Sequence, residues 1–423
     1  MKIYDPLYGE FSLSNISATL ANTPEVRRLS QVRLLNSMTP SLATLGELRR
    51  YAHTLGVLNL FGEWRKIHKA MIPCTELDAL EVAIILHDVA TPPFGHLFEY
   101  LLKEELGWDH ESAASETLLQ QHVPENVGHQ IFVGRTPKVQ KLVRKLKLDL
   151  DIVLAILRKQ HPLHTLIFGT IDFDNIDNVW RMAWALGCRP DPSVAVELAR
   201  QLSVSPSGSL VLSSTSKPLV TQWAAIRRSD YEVLVFDHAT VASQAILTKA
   251  LRIGMQAGLI GPEDWTLTDE QLLERLLSNK ATKKLISDDY LGALPKPLLT
   301  IQFPWKSAGK LSNTRAEIEI AVSEIARQLI GDKCVVYVLK EKGSFSKELK
   351  WLNEGGELQT QGSLSKSVII YIFMGSADTV PARDTINLLN HLCNYFETEP
   401  KDIIRTFVKG NNVSQQSTLS FDF

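Results

Sequence analysis

The chain has 423 residues, of which 44% are apolar and 22% are charged, values close to those of ordinary globular proteins. This composition excludes a disordered or fibrous protein, and the length predicts two or three domains. Lys and Arg number 45 against 47 Asp and Glu, so the net charge of −2 excludes the strongly basic surface of a protein that holds long duplexes.

The region from residue 20 to about 200 has the apolar periodicity of helices. One helix is predicted over 45–61 and another over 175–186. A third starts near Thr75 with a variant of the capping box and continues as a nearly apolar stretch through Leu86. Because this helix is apolar on all sides, we expect it at the centre of its domain, and it must end before the Pro-Pro pair at 92–93.

Strand signals appear further along the chain. Two short alternating runs predict a β-hairpin within 202–212, after which helices resume, the longest over 231–255. The composition then shifts to Pro and Gly at 292–312, and beyond it lie two β-rich runs and a final helix. We therefore predict a mainly α domain with a small β-hairpin over 1–300. A smaller α+β C-terminal domain over 301–423 would serve assembly or regulation.

The cysteines and the apolar runs bear on the environment of the protein. The four cysteines are far apart and form no CxxC pair, so neither a disulfide scaffold nor a cysteine-based zinc site is expected, and a cytoplasmic location is predicted. The densest apolar runs, at 82–86 and 368–374, fall far short of the roughly 20 residues of a spanning helix. The sequence predicts a soluble protein with no membrane partner.

The strongest local signal for function is the His87–Asp88 pair at the end of the central apolar helix. A charged Asp in so apolar a setting is costly unless a partner compensates it. Taken alone, the pair is equally well explained by a buried His–Asp hydrogen bond. A second His and a carboxylate, His96 and Glu99, follow the helix break three residues apart and share one face of a new helix.

Two other segments supply matching groups. Arg50 and His53 lie three apart on one helical face, which places a cation beside a candidate ligand. Three carboxylates open the helix near residue 175: Asp172, a candidate N-cap, then Asp174 and Asp177. Two His with two carboxylates suit a divalent Mn, Fe, Ni, Co or Zn ion, whereas a site of oxygens alone would indicate Mg or Ca.

The combination of His53, His87-Asp88 and Asp174 resembles the H…HD…D signature of the HD superfamily of metal-dependent phosphohydrolases. Other segments resemble motifs of the dNTP triphosphohydrolases of that family, in the same order along the chain. They are Ile3–Gly9 (hDPlhG), Thr23–Leu29 (TPefqRLr), Arg50–Val57 (RfeHSlGV), Pro92–Glu99 (the PPFGHxxE of bacterial dGTPases) and the pair His110-Glu111. The resemblance covers roughly residues 1 to 260 and implies a helical HD-domain bundle.

The resemblance implies a metal site and a catalytic set. The implied metal ligands are His53, His87, Asp88 and Asp174. His96 and His110 match positions that act near the α-phosphate, and Glu99 matches an acid/base carboxylate. The alternative is that the two histidines are structural and that the carboxylate is solvated. The implied cofactor is one divalent transition metal, with Mg as an optional second ion.

The resemblance also implies substrate contacts. Arg50 matches a phosphate-contacting Arg, and Arg228 precedes His238 by ten residues, as a phosphate-binding Arg does in the eukaryotic SAM- and HD-domain dNTPase. The alternatives are a solvated surface charge for Arg228 and a core histidine for His238. The basic segment 135–147 favours a solvated face, with contact to single-stranded nucleic acid as the weaker alternative.

Several positions depart from the family pattern. Leu34 and Met182 stand where the eukaryotic relative has polar groups that contact the sugar. Asn175 and Ala239 stand where that relative has phosphate-binding lysines. We therefore predict weaker nucleotide binding and blurred selectivity between dNTPs and NTPs. The competing interpretation is that other residues rebuild the sugar contacts, the candidates being Asn36, Asn178 and Arg181.

The function implied by the resemblance is metal-dependent hydrolysis of a dNTP to a deoxynucleoside and triphosphate, by a homo-oligomer. One alternative within the enzymes is a phosphodiesterase or nuclease, because HD sites also cut phosphodiesters. Another is a nucleotide-sensing protein whose metal site binds without turnover. The presence of both His96 and Glu99 favours an enzyme.

Overall fold

The computed structural model describes residues 1–38, 40–108, 113, 139–306, 309–341, 348–362, 366–375 and 380–408. These residues form a large helical unit and a smaller α+β unit, which confirms the predicted mainly α fold class. Within the same ranges, no helix combines the length and the apolar character needed to cross a membrane.

The helical unit starts with an antiparallel pair of strands, β1 (Lys2–Asp5) and β2 (Gly9–Ser12). The helices described up to residue 200 are α1 (Asn15–Leu20), α2 (Pro24–Arg27), α3 (Ala43–Gly46), α4 (Arg50–His68), α5 (Cys74–Leu86), α6 (His96–Leu106), α7 (Val139–Lys145), α8 (Leu150–Leu157), α9 (Thr165–Phe168), α10 (Phe173–Ala185) and α11 (Pro192–Arg200). The predicted hairpin, β3 (Ser203–Val204) and β4 (Leu210–Val211), then precedes α12 (Lys217–Phe236), α13 (His238–Gln256), α14 (Asp269–Ser278) and α15 (Lys280–Tyr290).

The smaller unit follows with β5 (Lys296–Pro304), α16 (Arg315–Ile330), β6 (Cys334–Glu341), β7 (Leu349–Leu352), β8 (Leu358–Gln361), β9 (Ser367–Met374), α17 (Ala382–Tyr395) and β10 (Arg405–Val408). Short 3-10 turns occur at Arg28–Gln31, Pro40–Leu42, Pro162–His164, Ser214–Ser216, Pro262–Thr266, Lys310–Ser312 and Pro400–Asp402.

The central helix of the large unit is α5. It starts at Cys74 with Pro73 in the N-cap position, so the predicted capping bond near Thr75 is not made. Every side chain from Ala79 to Leu86 is buried. Burial of each Leu, Val or Ile side chain in this run stabilises the fold by about 1.5–3 kcal/mol. This burial holds the helix in the core, and His87 and Asp88, which follow it, are buried as well.

Two helix predictions differ from the structure. The helix predicted over 45–61 is α4, which starts at Arg50 and continues to His68, because residues 43–46 form the separate α3. The single helix predicted over 231–255 is wrong. Asp237 has extended backbone between α12 and α13, and its carboxylate accepts a hydrogen bond from the Thr240 N–H at 2.8 Å. An Asp that caps the second helix therefore also ends the first.

The smaller unit is built on an antiparallel sheet in the order β10-β5-β9-β6. One face packs against α16 and α17 through side chains such as Ile301 and Ile370, and the other packs on α13 through Tyr371 and Phe373. Because both faces are covered, every side chain of β9 is buried, which explains its continuous apolar run.

A second four-stranded sheet joins the two units. Its order is β3-β4-β7-β8, and Val211 of β4 pairs in parallel with Leu352 of β7. Leu349 and Trp351 of β7 lie in the same apolar core as α5. The domain division at residue 300 stays a prediction, and β5 itself runs across that position.

Candidate metal centre

Three packed helices bring the four predicted ligands together. His53 lies in the second turn of α4, His87 and Asp88 follow the last residue of α5, and Asp174 lies in the first turn of α10. One ligand atom from each of these residues lies within 4.8 Å of the others. We call these four residues the ligand cluster.

Asp174 is the centre of the ligand cluster. Its Oδ1 lies 2.7 Å from His53 Nε2 and 3.1 Å from His87 Nε2. His87 Nε2 also lies 3.9 Å from Asp88 Oδ2. The Asp174 side chain keeps 29% of its surface exposed, whereas the other three are buried, so the cluster opens to solvent on the Asp174 side.

The opposite ring nitrogen of each histidine has its own partner. His53 Nδ1 lies 2.7 Å from Asp177 Oδ2, and His87 Nδ1 lies 2.6 Å from the Ile84 carbonyl oxygen, to which it donates. A hydrogen bond at Nδ1 fixes the ring and directs the Nε2 lone pair towards a metal. Both histidines are therefore oriented as ligands.

Behind His53 lies a chain of charges formed by Asp177, Arg181 and Asp5. Arg181 donates to both oxygens of Asp177, at 2.8 and 3.0 Å, and to Asp5 Oδ2 at 3.0 Å. Gly56 of α4 is required here, because a Cβ at that position would lie 1.9 Å from Asp177 Oδ1. Asp177 is thus a structural partner of His53 and Arg181. Arg181 is only 1% exposed and is already bound on both sides, which argues against its contact with the sugar.

In and behind the ligand cluster, carboxylates alternate with histidines, and each shifts the pKa of its neighbour. Burial alone would lower the pKa of His53, but hydrogen bonds to Asp174 and Asp177 raise it to about 10. Burial alone would raise the pKa of Asp174, yet its hydrogen bonds to His53 and His87 hold it well below the ordinary value. A divalent ion would take the place of protons on Nε2 between anionic oxygens, which is the usual coupling of metal and proton binding. Two imidazoles and two carboxylates fit a borderline divalent metal.

Arg50 forms a salt bridge that compensates the buried charge of Asp88. Its Nη1 lies 3.0 Å from each Asp88 oxygen, and Thr91 Oγ1 donates to Asp88 Oδ1 at 2.8 Å. Burial alone would raise the pKa of Asp88, but attraction to Arg50, together with His87 and His53, keeps it below its ordinary value. Gly95, at φ +53°, lets the next loop approach, since a Cβ there would lie 2.7 Å from Arg50 Nη2.

Two buried residues hold the loop that connects α5 and α6. Arg28 donates to the carbonyls of Val89 and Thr91, at 3.1 and 2.5 Å, and also to two carbonyls near residue 266. Asp269 accepts the Phe94 N–H at 2.9 Å, where Phe94 has a φ of +55° that such a residue rarely adopts. Sequence reasoning missed both roles. Arg28 lies within a motif that resembles the family, whereas no local signal identifies Asp269.

The first helix after this loop carries His96 and Glu99, which we call the α6 pair. His96 Nδ1 lies 2.8 Å from Glu99 Oε2. The His96 side chain is 70% exposed and that of Glu99 only 14%, so the carboxylate orients an imidazole that faces solvent. The α6 pair begins one residue after Gly95, which lies close to Arg50, the partner of Asp88. His110, the other predicted catalytic histidine, lies outside the described residues.

The remaining predicted substrate residues lie elsewhere. Arg228 is exposed on α12. His238 Nε2 lies 3.2 Å from Thr300 Oγ1, and its ring centroid lies 4.7 Å from that of Phe407, so its contacts are with the C-terminal sheet. Met182 is buried in an apolar cluster with Leu35 and Leu45, and Leu34 is 8% exposed.

Comparison with known proteins agrees with this geometry. Residues 50–166 match the model of the HD domain family, a span that contains His53, His87 and Asp88. Among solved structures, a phosphohydrolase from Bacteroides thetaiotaomicron is similar, with a TM-score of 0.63 and 16% identity over 88% of this chain and 99% of that chain. No curated protein matches the chain by sequence. The match to the HD domain model supports the resemblance to the HD superfamily, and the structural match shows a shared fold.

Proposed function

We propose that this protein is a metal-dependent nucleotide phosphohydrolase and that its preferred reaction converts a dNTP to a deoxynucleoside and triphosphate. The observation that carries the proposal is the ligand cluster together with the α6 pair. The pair follows Gly95, and Gly95 lies close to Arg50. The HD domain and the fold shared with a phosphohydrolase support the phosphohydrolase part. The motifs that resemble dNTP triphosphohydrolases support the nucleotide part.

The ligand cluster would hold one divalent Mn, Fe, Ni, Co or Zn ion, with Mg as an optional second ion. Such an ion supplies charge that polarises a phosphoryl oxygen and eases the deprotonation of water. The protein itself supplies the fixed orientation of both imidazoles, and Arg50 keeps Asp88 anionic.

The α6 pair would move the proton. In the proposed reaction the oxygen of water adds to the α-phosphorus, and the bond from that phosphorus to the 5′ oxygen breaks. The hydroxyl of water ends on phosphorus and its remaining proton ends on the 5′ oxygen. His96 is exposed to solvent and held by Glu99, so it would donate that proton while Glu99 fixes the ring.

The proposed substrate contacts rest on the resemblance. Arg50 and Arg228 would contact phosphate, and His238, whose contacts here are with the C-terminal sheet, would also contact the substrate. Leu34 and Met182 are buried and apolar, which supports weak discrimination between deoxyribose and ribose. Assembly into a homo-oligomer is part of the same proposal, on the resemblance alone. For the basic segment 135–147, contact with single-stranded nucleic acid stays the weaker alternative to a solvated face.

The test is an assay of the metal-loaded protein with matched dNTPs, NTPs and single-stranded DNA, followed by identification of the products. Deoxynucleoside and triphosphate in a stoichiometry of one to one are the expected products. Cleaved DNA with intact dNTPs would instead identify a phosphodiesterase or nuclease. Saturable binding of nucleotides without any product would identify a sensor and contradict the proposed activity.

A further inference from the structure

One stripe of α6 faces away from the apolar core. His96, Glu99, Tyr100 and Glu104 lie along it at helical spacing, while the intervening Leu97, Phe98, Leu101 and Leu102 are buried. Tyr100 is one turn beyond His96 and Glu104 is two turns beyond, so they continue the face that carries the α6 pair. Residues of α13 and of the C-terminal unit contact this second half of the stripe.

The contacting residues form a network of ion pairs and ring contacts. The guanidinium carbon of Arg315, in α16, lies 5.1 Å from the centre of the Tyr100 ring and 4.3 Å from that of Tyr337. Arg315 Nε donates to Glu319 Oε1 at 2.9 Å. Glu319 Oε2 in turn accepts from Arg252 of α13 at 2.6 Å.

The network closes back on α6. Arg252 Nη2 lies 3.6 Å from Glu104 Oε2, so α6 contacts the network at both Tyr100 and Glu104. Arg315 is 9% exposed and Glu319 is 6% exposed. Glu319 Oε1 also accepts the Val338 N–H of β6 at 3.1 Å, which fastens the network to the C-terminal sheet.

We propose that Arg315 and Arg252 are positioning residues through which the C-terminal unit sets the orientation of the α6 pair. The inference rests on the proposed function, because it assigns the α6 pair a part in turnover. Removing one partner of a buried ion pair leaves the other charge uncompensated and strongly destabilises the fold. The network therefore favours a single arrangement of its side chains. A helix transmits that constraint along its axis, and a displacement of about 1 Å at a reacting group can lower a rate by about 10²-fold.

The chain offers a matched control in the same helix. Arg327 is also in α16, but its side chain is 62% exposed and pairs with Asp332 rather than with α6. Arg315→Ala should therefore lower kcat by about 10-fold to 10²-fold at unchanged metal content and nearly unchanged KM, whereas Arg327→Ala should leave kcat as in the wild type. Arg315→Lys retains the charge but not the planar group that stacks on two rings, so it should restore kcat only in part.

Amide hydrogen exchange tests the same coupling without relying on turnover. In Arg315→Ala, exchange should become faster in residues 96–106 and stay unchanged in α4 and α5. Glu104→Gln, which removes only the pair with Arg252, is the variant to use if Arg315→Ala does not fold. Unchanged exchange in α6, or an unchanged kcat in an active protein, would overturn the proposal. If the wild type hydrolyses no nucleotide, the proposed function fails and the exchange measurement alone decides the coupling.

Discussion

The ligand cluster and the α6 pair differ in how their side chains are held and in how far they are exposed. The cluster draws its four side chains from three helices of one core, and each histidine is fixed at both ring nitrogens. The α6 pair comes from a single helix, and His96 is 70% exposed. Charges that hold an ion need compensation and a fixed geometry, whereas a group that exchanges protons with a substrate needs access. Changes in the two regions should therefore have different consequences.

The largest effect is expected from Asp174→Ala, because Asp174 Oδ1 is the atom that both histidines contact. Purified wild type should carry about one transition-metal ion per chain and the variant almost none, as measured by elemental analysis. His87→Ala should lose its metal in the same way, while Asp151→Ala, at an exposed position, should not. Equal metal content in all four proteins would show that the ion lies elsewhere.

The opposite outcome is expected for the α6 pair. His96→Ala and Glu99→Gln should retain the metal and lower turnover by roughly 10²-fold or more, the usual contribution of a positioned acid or base. Glu105→Gln, an exposed position in the same helix, serves as the control. Loss of metal from either variant would erase the distinction between the two regions, and an unchanged rate would remove that residue from the mechanism.

Substitutions at two glycines of α4 distinguish the effect of the partner behind His53 from a general effect on helix stability. A Cβ at Gly56 would displace Asp177 and Arg181, whereas a Cβ at Gly62 meets nothing within 4 Å. Gly56→Ala should weaken metal affinity by about 10-fold to 10²-fold, the usual effect of disturbing a partner behind a ligand. Gly62→Ala should keep the affinity and stabilise the fold by about 0.5–1 kcal/mol. Chelator competition and thermal unfolding measure the two quantities, and equal affinities in the two variants would contradict the role of Gly56.

Asp230 is a buried carboxylate that is compensated less completely than those of the ligand cluster, and its removal should have the smallest of these effects. Burial raises the pKa of Asp230 to about 8, with Arg227 opposing the shift, and Asp230 Oδ2 has no hydrogen-bond partner among the described residues. The folded state therefore binds a proton that the unfolded state has released above about pH 4. Its stabilising effect is complete below that pH and is lost as the pH rises to about 8, by up to about 1.4 kcal/mol per unit.

Asp230→Asn should flatten this dependence, measured as the free energy of unfolding in urea between about pH 5 and pH 8. The exposed Asp151→Asn is the control and should retain the slope of the wild type. If Asp230→Asn loses stability with pH as steeply as the wild type, Asp230 is not the buried acid responsible.

The sequence predicts the parts of the molecule whose signals are local. The apolar run of α5, the hairpin before residue 212, the strand at 368–373 and the N-cap at Asp172, which accepts the Asn175 N–H at 2.6 Å, all follow from short patterns. The resemblance to the HD superfamily, which the His-Asp pair and its partners carry, implies the four candidate ligands that the structure brings together.

Partners that are distant in the chain have no such signal. Asp5 meets Arg181, Asp269 meets the loop at Phe94, and the buried acids that hold these places look like any other charge in the sequence. The helix expected over 231–255 was mispredicted because the capping bond of Asp237 outweighs a continuous helical periodicity. The contacts of Asp5 and Asp269, unlike the local cap at Asp237, depend on packing that no local pattern contains.

The sheet that joins the two units also has a consequence for synthesis of the chain. Val211 and Leu352 pair although they are 141 positions apart. At about 5–20 residues per second, a ribosome needs about 7–28 s to make the intervening segment. Throughout that interval the edge of β4 presents unpaired N–H and C=O groups, which can template pairing with another nascent chain. Slower translation of residues 212–351 should therefore lower the yield of folded protein, and faster delivery of β7 should raise it.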